Sequence, residues 1–205
     1  MIEVRSCFVC RARYIEVKGG VLDLCKDLRK IFPKAGWECQ VQQMLIGHVQ
    51  QSLIALASRW ESLAAWEAGV IRLRNYPEYQ EWMKKISSFL AYGEATEIFT
   101  LLEGPEEPSP VAPGMIEVRS GYIVEPQNMD RVKELVKQRP SRLKNDAFWY
   151  NDVTQSSIVI SSMWQSLASW EEAMKTAEDQ EFEDWYREWM ETVEFGGGKE
   201  VLRNL

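Results

Sequence analysis

One stretch of this chain is written twice. Residues 60–67 read Trp-Glu-Ser-Leu-Ala-Ala-Trp-Glu and residues 164–171 read Trp-Gln-Ser-Leu-Ala-Ser-Trp-Glu, with six of eight positions identical. Ordered self-similarity restricts a chain to two copies of one folding unit, and it does so before composition is considered. The same order runs throughout. Met1-Ile2-Glu3-Val4-Arg5-Ser6 returns unchanged at 115–120, Gln51-Ser52-Leu53-Ile54 returns as Gln155-Ser156-Ser157-Ile158, and Tyr79-Gln80-Glu81-Trp82 returns as Phe182-Glu183-Asp184-Trp185. The offset falls from 114 to 104 to 103, which places the extra length of the first copy between its first strand and its hairpin. The expected division is a first repeat over 1–102, a linker over 103–114 and a second repeat over 115–205. The linker carries four prolines and three acids. It is expected to be extended, spanning on the order of 35 Å, and Met115 after it suggests fusion of two genes.

Each copy predicts the same elements. Alternating Ile2, Val4 and Phe8, or Ile116, Val118 and Tyr122, mark a first strand with one apolar face. A helix over 19–31, ended by Pro33, shows an apolar stripe of Val21, Leu22, Leu24, Leu28 and Ile31. Its counterpart spans 128–138, with Asn128 as the expected N-cap. Two hairpin strands follow at 40–48 and 52–60, or 147–151 and 156–164. Ser62 or Ser166 caps a second helix that breaks near Asn75-Tyr76-Pro77, and a short strand, 96–102 or 199–205, closes the unit. A turn is expected at Gly196-Gly197-Gly198. The order β-α-β-β-α-β is the ferredoxin-like split unit. Its sheet has helices on one face only, so a lone copy would leave the other face bare. The expected fold is α+β: two ferredoxin-like repeats packed sheet to sheet as a fused, pseudo-dimeric α+β barrel.

Composition excludes some functions. Hydrophobic residues make up 45% of the chain and nine are Trp, enough for a sizeable core. No run of about 18 apolar residues suggests a membrane span, and the charged N-terminus does not read as an export signal. Net charge is −7, distributed as +2, −3 and −6 over the first repeat, linker and second repeat, which offers no basic face for nucleic acid. The four cysteines, Cys7, Cys10, Cys25 and Cys39, fit reduced thiols of a cytoplasmic protein. Cys7 and Cys10 fall on opposite faces of a strand, so no metal site is expected. The acidic run around Glu181 reads as a solvated helix start.

The strand ending in Trp60, the following Ser62-Leu63-Ala64-Ala65-Trp66-Glu67, the broken helix with Pro77-Glu78-Tyr79-Gln80-Glu81-Trp82 and a last strand led by Glu97 together resemble the antibiotic biosynthesis monooxygenase-like superfamily of dimeric α+β barrels. The resemblance covers both repeats. It implies the barrel fold and a range of activities: cofactor-independent oxygenation of phenolic substrates, haem degradation, isomerase-like reactions or none known. The haem-degrading branch uses an Asn on the first strand, a Trp on the second helix and a His beyond it. Here neither first strand holds Asn, the Trp position is Gly69 or Ala173, and the only histidine, His48, lies in a hairpin opposite Asp152 of the second copy. No cofactor is therefore expected.

Candidate site residues come from the strand pattern. With Val4 and Phe8 facing the helices, Glu3, Arg5, Glu117 and Arg119 face the other side of the sheet. They read either as a docking set of ion pairs or as an anion or phenolate site with Glu accepting a proton. Trp149 and Tyr150, consecutive on a strand, and His48 are candidate ligand contacts. Trp60, Trp66, Trp82, Trp164, Trp170 and Trp185 read as core or as the wall of an apolar pocket. The expected function is small-molecule binding, with monooxygenation of an aromatic or quinone-like substrate implied by the resemblance. The alternative is a non-catalytic ligand-binding or stress-related barrel whose interior charges serve docking. A small-molecule ligand is the expected partner, without nucleic acid or membrane. The internal pseudo-dimer leaves further homo-oligomerisation open.

Overall fold

The computed structural model describes residues 1–47, 52–92, 95–105, 111–151, 156–175 and 179–205, with residues 195 and 197 described by backbone alone. The first repeat gives β1 (Ile2–Val9), α1 (Val21–Lys34), β2 (Gln40–Ile46), β3 (Leu53–Trp60), α2 (Leu63–Arg74), α3 (Pro77–Ser87) and β4 (Ala95–Glu103). The second gives β5 (Ile116–Ile123), α4 (Met129–Lys137), β6 (Ala147–Asn151), β7 (Ser157–Trp164), α5 (Leu167–Lys175), α6 (Gln180–Thr192) and β8 (Phe195–Asn204). This is the β-α-β-β-α-β order twice, with the second helix in two pieces each time. The strands join in one closed barrel, β1-β3-β2-β8-β5-β7-β6-β4, so the expected α+β barrel class is the one observed. The centre of the proline-rich segment, 106–110, and the hairpin tips 48–51 and 152–155 lie outside the described residues.

The chain forms two compact units that are a different division from the two repeats. One comprises Met1–Ile98 with Leu202–Leu205, the other Phe99–Val201.

In the first unit β1 runs antiparallel to β3, with Val4 opposite Ser58, Ser6 opposite Leu56 and Phe8 opposite Ile54. β2 flanks β3 on its other side, and the Leu205 N–H donates to the Val41 carbonyl of β2. The apolar stripe of α1 buries Val21, Leu24, Cys25, Leu28, Ile31 and Phe32. Each large side chain so buried contributes about 1.5–3 kcal/mol, which holds the helix on the sheet. α3 is pinned to α1 by a polar contact inside this apolar core: Trp82 Nε1 donates to the Leu24 carbonyl at 2.8 Å. α2 is tied down less, burying only Gly69 and Leu73. Gly69 is where it comes closest to the sheet, for a Cβ there would stand 2.4 Å from Cη2 of Trp60. Pro33 does not end α1 as expected; it lies in the last turn. The turn closes one residue later through the Gly36 N–H to the Pro33 carbonyl and the Trp37 N–H to the Phe32 carbonyl. Gly36 sits at φ +65°, the left-handed position this helix ending requires.

The second unit repeats these devices with other residues. Trp185 Nε1 donates to the Leu135 carbonyl of α4 at 2.9 Å, as Trp82 does to α1. Trp189, fully buried, meets Tyr122 edge-on at 5.3 Å and Phe148 at 6.2 Å. Ser62 Oγ accepts the Ala65 N–H in the first unit and Ser166 Oγ the Ser169 N–H in the second, the caps read from the repeated stretch. Asp179 caps α6 by accepting the Phe182 N–H. Two expectations are corrected. Asn128 makes no side-chain cap; its Nδ2 donates to the Thr192 carbonyl and ties α4 to the end of α6. Gly196-Gly197-Gly198 forms no turn but lies inside β8, where ladder pairing outweighs the glycines' weak strand preference. Among the described residues no helix is long and apolar enough to cross a membrane.

Candidate functional site

The loose fit of α2 leaves a hollow of about 560 Å³ in the first unit, between the helix-facing side of β1 and β3 and the broken helix α2–α3. Strand alternation supplies its floor: Ser6 and Phe8 from β1 and Leu56 and Ser58 from β3 point the same way. α2 supplies Trp66, Val70, Leu73 and Arg74, one helical face at spacings of four, three and one. α3 supplies Tyr79, Gln80, Met83 and Lys84, and β4 contributes Thr96. The end wall is set by the close of α1. Its hydrogen bonds place Trp37 over Phe32, ring centroids 6.3 Å apart, and edge-on to Trp60 at 4.8 Å. Phe32, Trp37 and Cys39 also line a second hollow, of about 490 Å³, beside Arg29 and Glu38.

The lining is mostly apolar and aromatic, with the polar groups in two places. On the floor, Ser58 Oγ donates to the Val4 carbonyl and accepts Trp60 Nε1, while the Ser6 and Thr96 hydroxyls lie 3.4 Å apart. Cys39 donates its thiol to the Gln40 carbonyl, and burial holds that thiol well above its ordinary pKa, so it stays neutral. At the rim stand two exposed cations, Arg74 and Lys84. Lys84 is paired with Glu81 at 2.6 Å; Arg74 has no carboxylate partner among the described residues. No described residue of the lining is a carboxylate or an imidazole.

The candidates read from the sequence lie elsewhere. Glu3 and Arg5 are buried on the opposite side of the sheet, at 4% and 2% exposure. Glu3 pairs with Arg59 at 3.6 Å, and Arg5 Nε has no hydrogen-bond partner among the described residues. The second copy arranges the same residues differently. Met163 and Ser161 stand where Arg59 and Ala57 stand in the first copy. Glu117 pairs with Arg119 at 3.0 Å and accepts Ser161 Oγ. Trp149 and Tyr150 point to opposite faces: Trp149 is fully buried with Phe99 and Ala147, and Tyr150 packs beside Phe148 and Ile158. None of these residues lines either hollow, and His48 lies outside the described residues. Trp66, read from the sequence as core or as the wall of an apolar pocket, lines the hollow. Sequence reading missed Trp37, Val70, Arg74 and Thr96, although the spacing of Trp66, Val70 and Leu73 was a usable helical signal.

The hollow also bears on haem. Among the described residues its lining has no imidazole, and the Cys39 thiol is held neutral, so these residues do not offer the imidazole or thiolate that commonly ligate haem iron.

No protein-family profile matches the chain, and no curated protein matches it. Solved structures do. A candidate monooxygenase from Fusobacterium nucleatum superposes with a TM-score of 0.71 at 9% identity, covering 100% of this chain and 92% of that one. An anthrone oxidase-like protein superposes at 0.60 with 13% identity, covering 100% and 91%. A candidate chlorite dismutase superposes at 0.55 with 9% identity, covering 100% and 95%. At such identities the likeness is one of fold: this chain has the α+β barrel fold of the monooxygenase-like dimeric barrels, with both repeats in a single polypeptide.

Proposed function

We propose that the first unit binds a flat, mostly apolar aromatic or quinone-like molecule in the hollow beneath α2 and α3, and oxygenates it without a bound cofactor. The observation that carries the reading is the hollow itself, a volume within the usual range for small-molecule sites, walled by Phe8, Phe32, Trp37, Trp66 and Tyr79. Aromatic walls favour a planar guest through offset and edge contacts. The names of the fold relatives, monooxygenase and anthrone oxidase-like, supply the reaction class by analogy. For an anthrone-type substrate the balance is a ring methylene plus dioxygen giving a ketone plus water, with both hydrogens leaving the substrate carbon. The protein's part is to orient the ring and exclude water. Since the described residues of the lining include no carboxylate or imidazole, the substrate has to be acidic enough to ionise with little help.

That same lack of a base favours a second reading, a barrel that holds its ligand without reacting with it. Oxygen uptake and ligand binding, measured together on the full chain with an anthrone, separate the two. Uptake that disappears in Val70→Trp, which fills the hollow, is expected. Binding that V70W abolishes, with no uptake above the uncatalysed rate, would favour the second reading. No V70W-sensitive binding would overturn both.

A further inference from the structure

We infer that Arg74 makes this hollow selective for aromatic molecules bearing an ionised acidic group, a phenolate or a carboxylate; the inference rests on the reading that the hollow is the ligand site. Three observations meet at this residue. Arg74 ends α2, where the break before Pro77 turns the chain towards α3 and brings its side chain into the rim. The break is held in place, since Gln80 Nε2, itself at the rim, donates to the Arg74 carbonyl at 2.9 Å. Arg74 and Lys84 are the only charged side chains of the lining among the described residues, and both are cationic although the chain carries −7 overall.

The two cations are not equivalent. Lys84 already has Glu81 at 2.6 Å. Arg74 keeps its guanidinium for a guest, and guanidinium matches a carboxylate or phenolate by charge-assisted hydrogen bonds. The aromatic walls below take the rings, so an acidic group at one end of the guest is left at the rim. The oxygenation proposed for the hollow needs this. Without a base in the lining, a cation beside the acidic group lowers its pKa and raises the share of ligand already ionised.

Two fluorescent probes of nearly the same shape test it: anilinonaphthalene sulfonate, which is anionic, and N-phenylnaphthylamine, which lacks the sulfonate. Each is titrated against the full chain, Arg74→Gln and Val70→Trp. The parent should bind the anionic probe more tightly. R74Q should weaken that probe about tenfold while moving the neutral one less than about twofold, and added salt should weaken only the anionic probe. V70W should abolish both. An R74Q chain whose preference for the anionic probe equals the parent's would overturn the inference while leaving the hollow as a ligand site. Probe binding unchanged in V70W, or no binding of either probe to the parent, would overturn the reading of the hollow and this inference with it. Arg74 is exposed at a helix end, so R74Q should unfold at the parent's midpoint, which keeps the comparison clean.

Discussion

Replacing Gly69 by Ala sets two known effects against each other. In an exposed helix the change would stabilise by up to ~1 kcal/mol, because alanine loses less backbone entropy and is the better helix former. Here the new methyl would stand 2.4 Å from Cη2 of Trp60 and 2.9 Å from Cζ3, well inside contact distance. The indole cannot simply swing away. Its Nε1 is hydrogen-bonded to Ser58 Oγ at 2.9 Å and its ring stands edge-on to Trp37 at 4.8 Å. Overpacking of this kind costs about 1–3 kcal/mol, which cancels or outweighs the helix gain, so G69A should lower stability by up to ~2 kcal/mol by urea denaturation. Because Trp37 forms the end wall of the hollow, the same variant should also weaken probe binding. The second copy has Ala173 at the corresponding position, so Ala173→Gly should show a helix-propensity loss of ~1 kcal/mol. A G69A chain more stable than the parent, showing the helix gain with no opposing cost, would refute the contact between α2 and Trp60.

Trp82→Phe removes the donor to the Leu24 carbonyl and should cost about 1–3 kcal/mol in thermal or urea unfolding, and Trp185→Phe should cost a similar amount through Leu135. Arg119→Met leaves Glu117 buried without its cation and should cost about 3–5 kcal/mol, whereas Arg59→Met, whose partner lies at 3.6 Å from a third-exposed side chain, should cost about 1 kcal/mol or less. Asp146 is lifted from 3.8 to about 7 by burial, against the pull of Arg142 and Arg139. The folded chain therefore holds a proton that the unfolded chain has lost between about pH 4 and 7, and stability falls as pH rises through that window, by at most ~1.4 kcal/mol per unit. Asp146→Asn should flatten that slope in unfolding midpoints measured at pH 4 to 8; an unchanged slope would show that Asp146 ionises freely in the fold.

The fold was legible because its signals are periodic and occur twice. The alternation of Val4 and Phe8, the stripe of Leu24, Leu28 and Ile31 and the Ser62 and Ser166 caps each recur at matching places. Local chemistry was less reliable where a neighbour from a distant element competes. Asn128 has the residue type of a cap, but the Thr192 carbonyl takes its amide. The glycines at 196–198 have the residue type of a turn, but the ladder holds them extended. The site was only half legible. Sequence reading looked for charge on the far side of the sheet, whereas the hollow exists because α2 packs loosely and α1 ends in a way that turns Trp37 inward. Neither cause is visible in residue type alone. Arg74 reads as an ordinary helix-end cation until the break at Asn75 is seen to aim it.

The division of the chain into compact units has a consequence for synthesis. Residues 202–205 belong with Met1–Ile98, while Phe99 onwards belongs to the other unit. The first unit is thus finished by residues made after the whole of Phe99–Val201. Translation order, which usually lets an N-terminal domain fold first, here makes the first unit wait for the second repeat to be made.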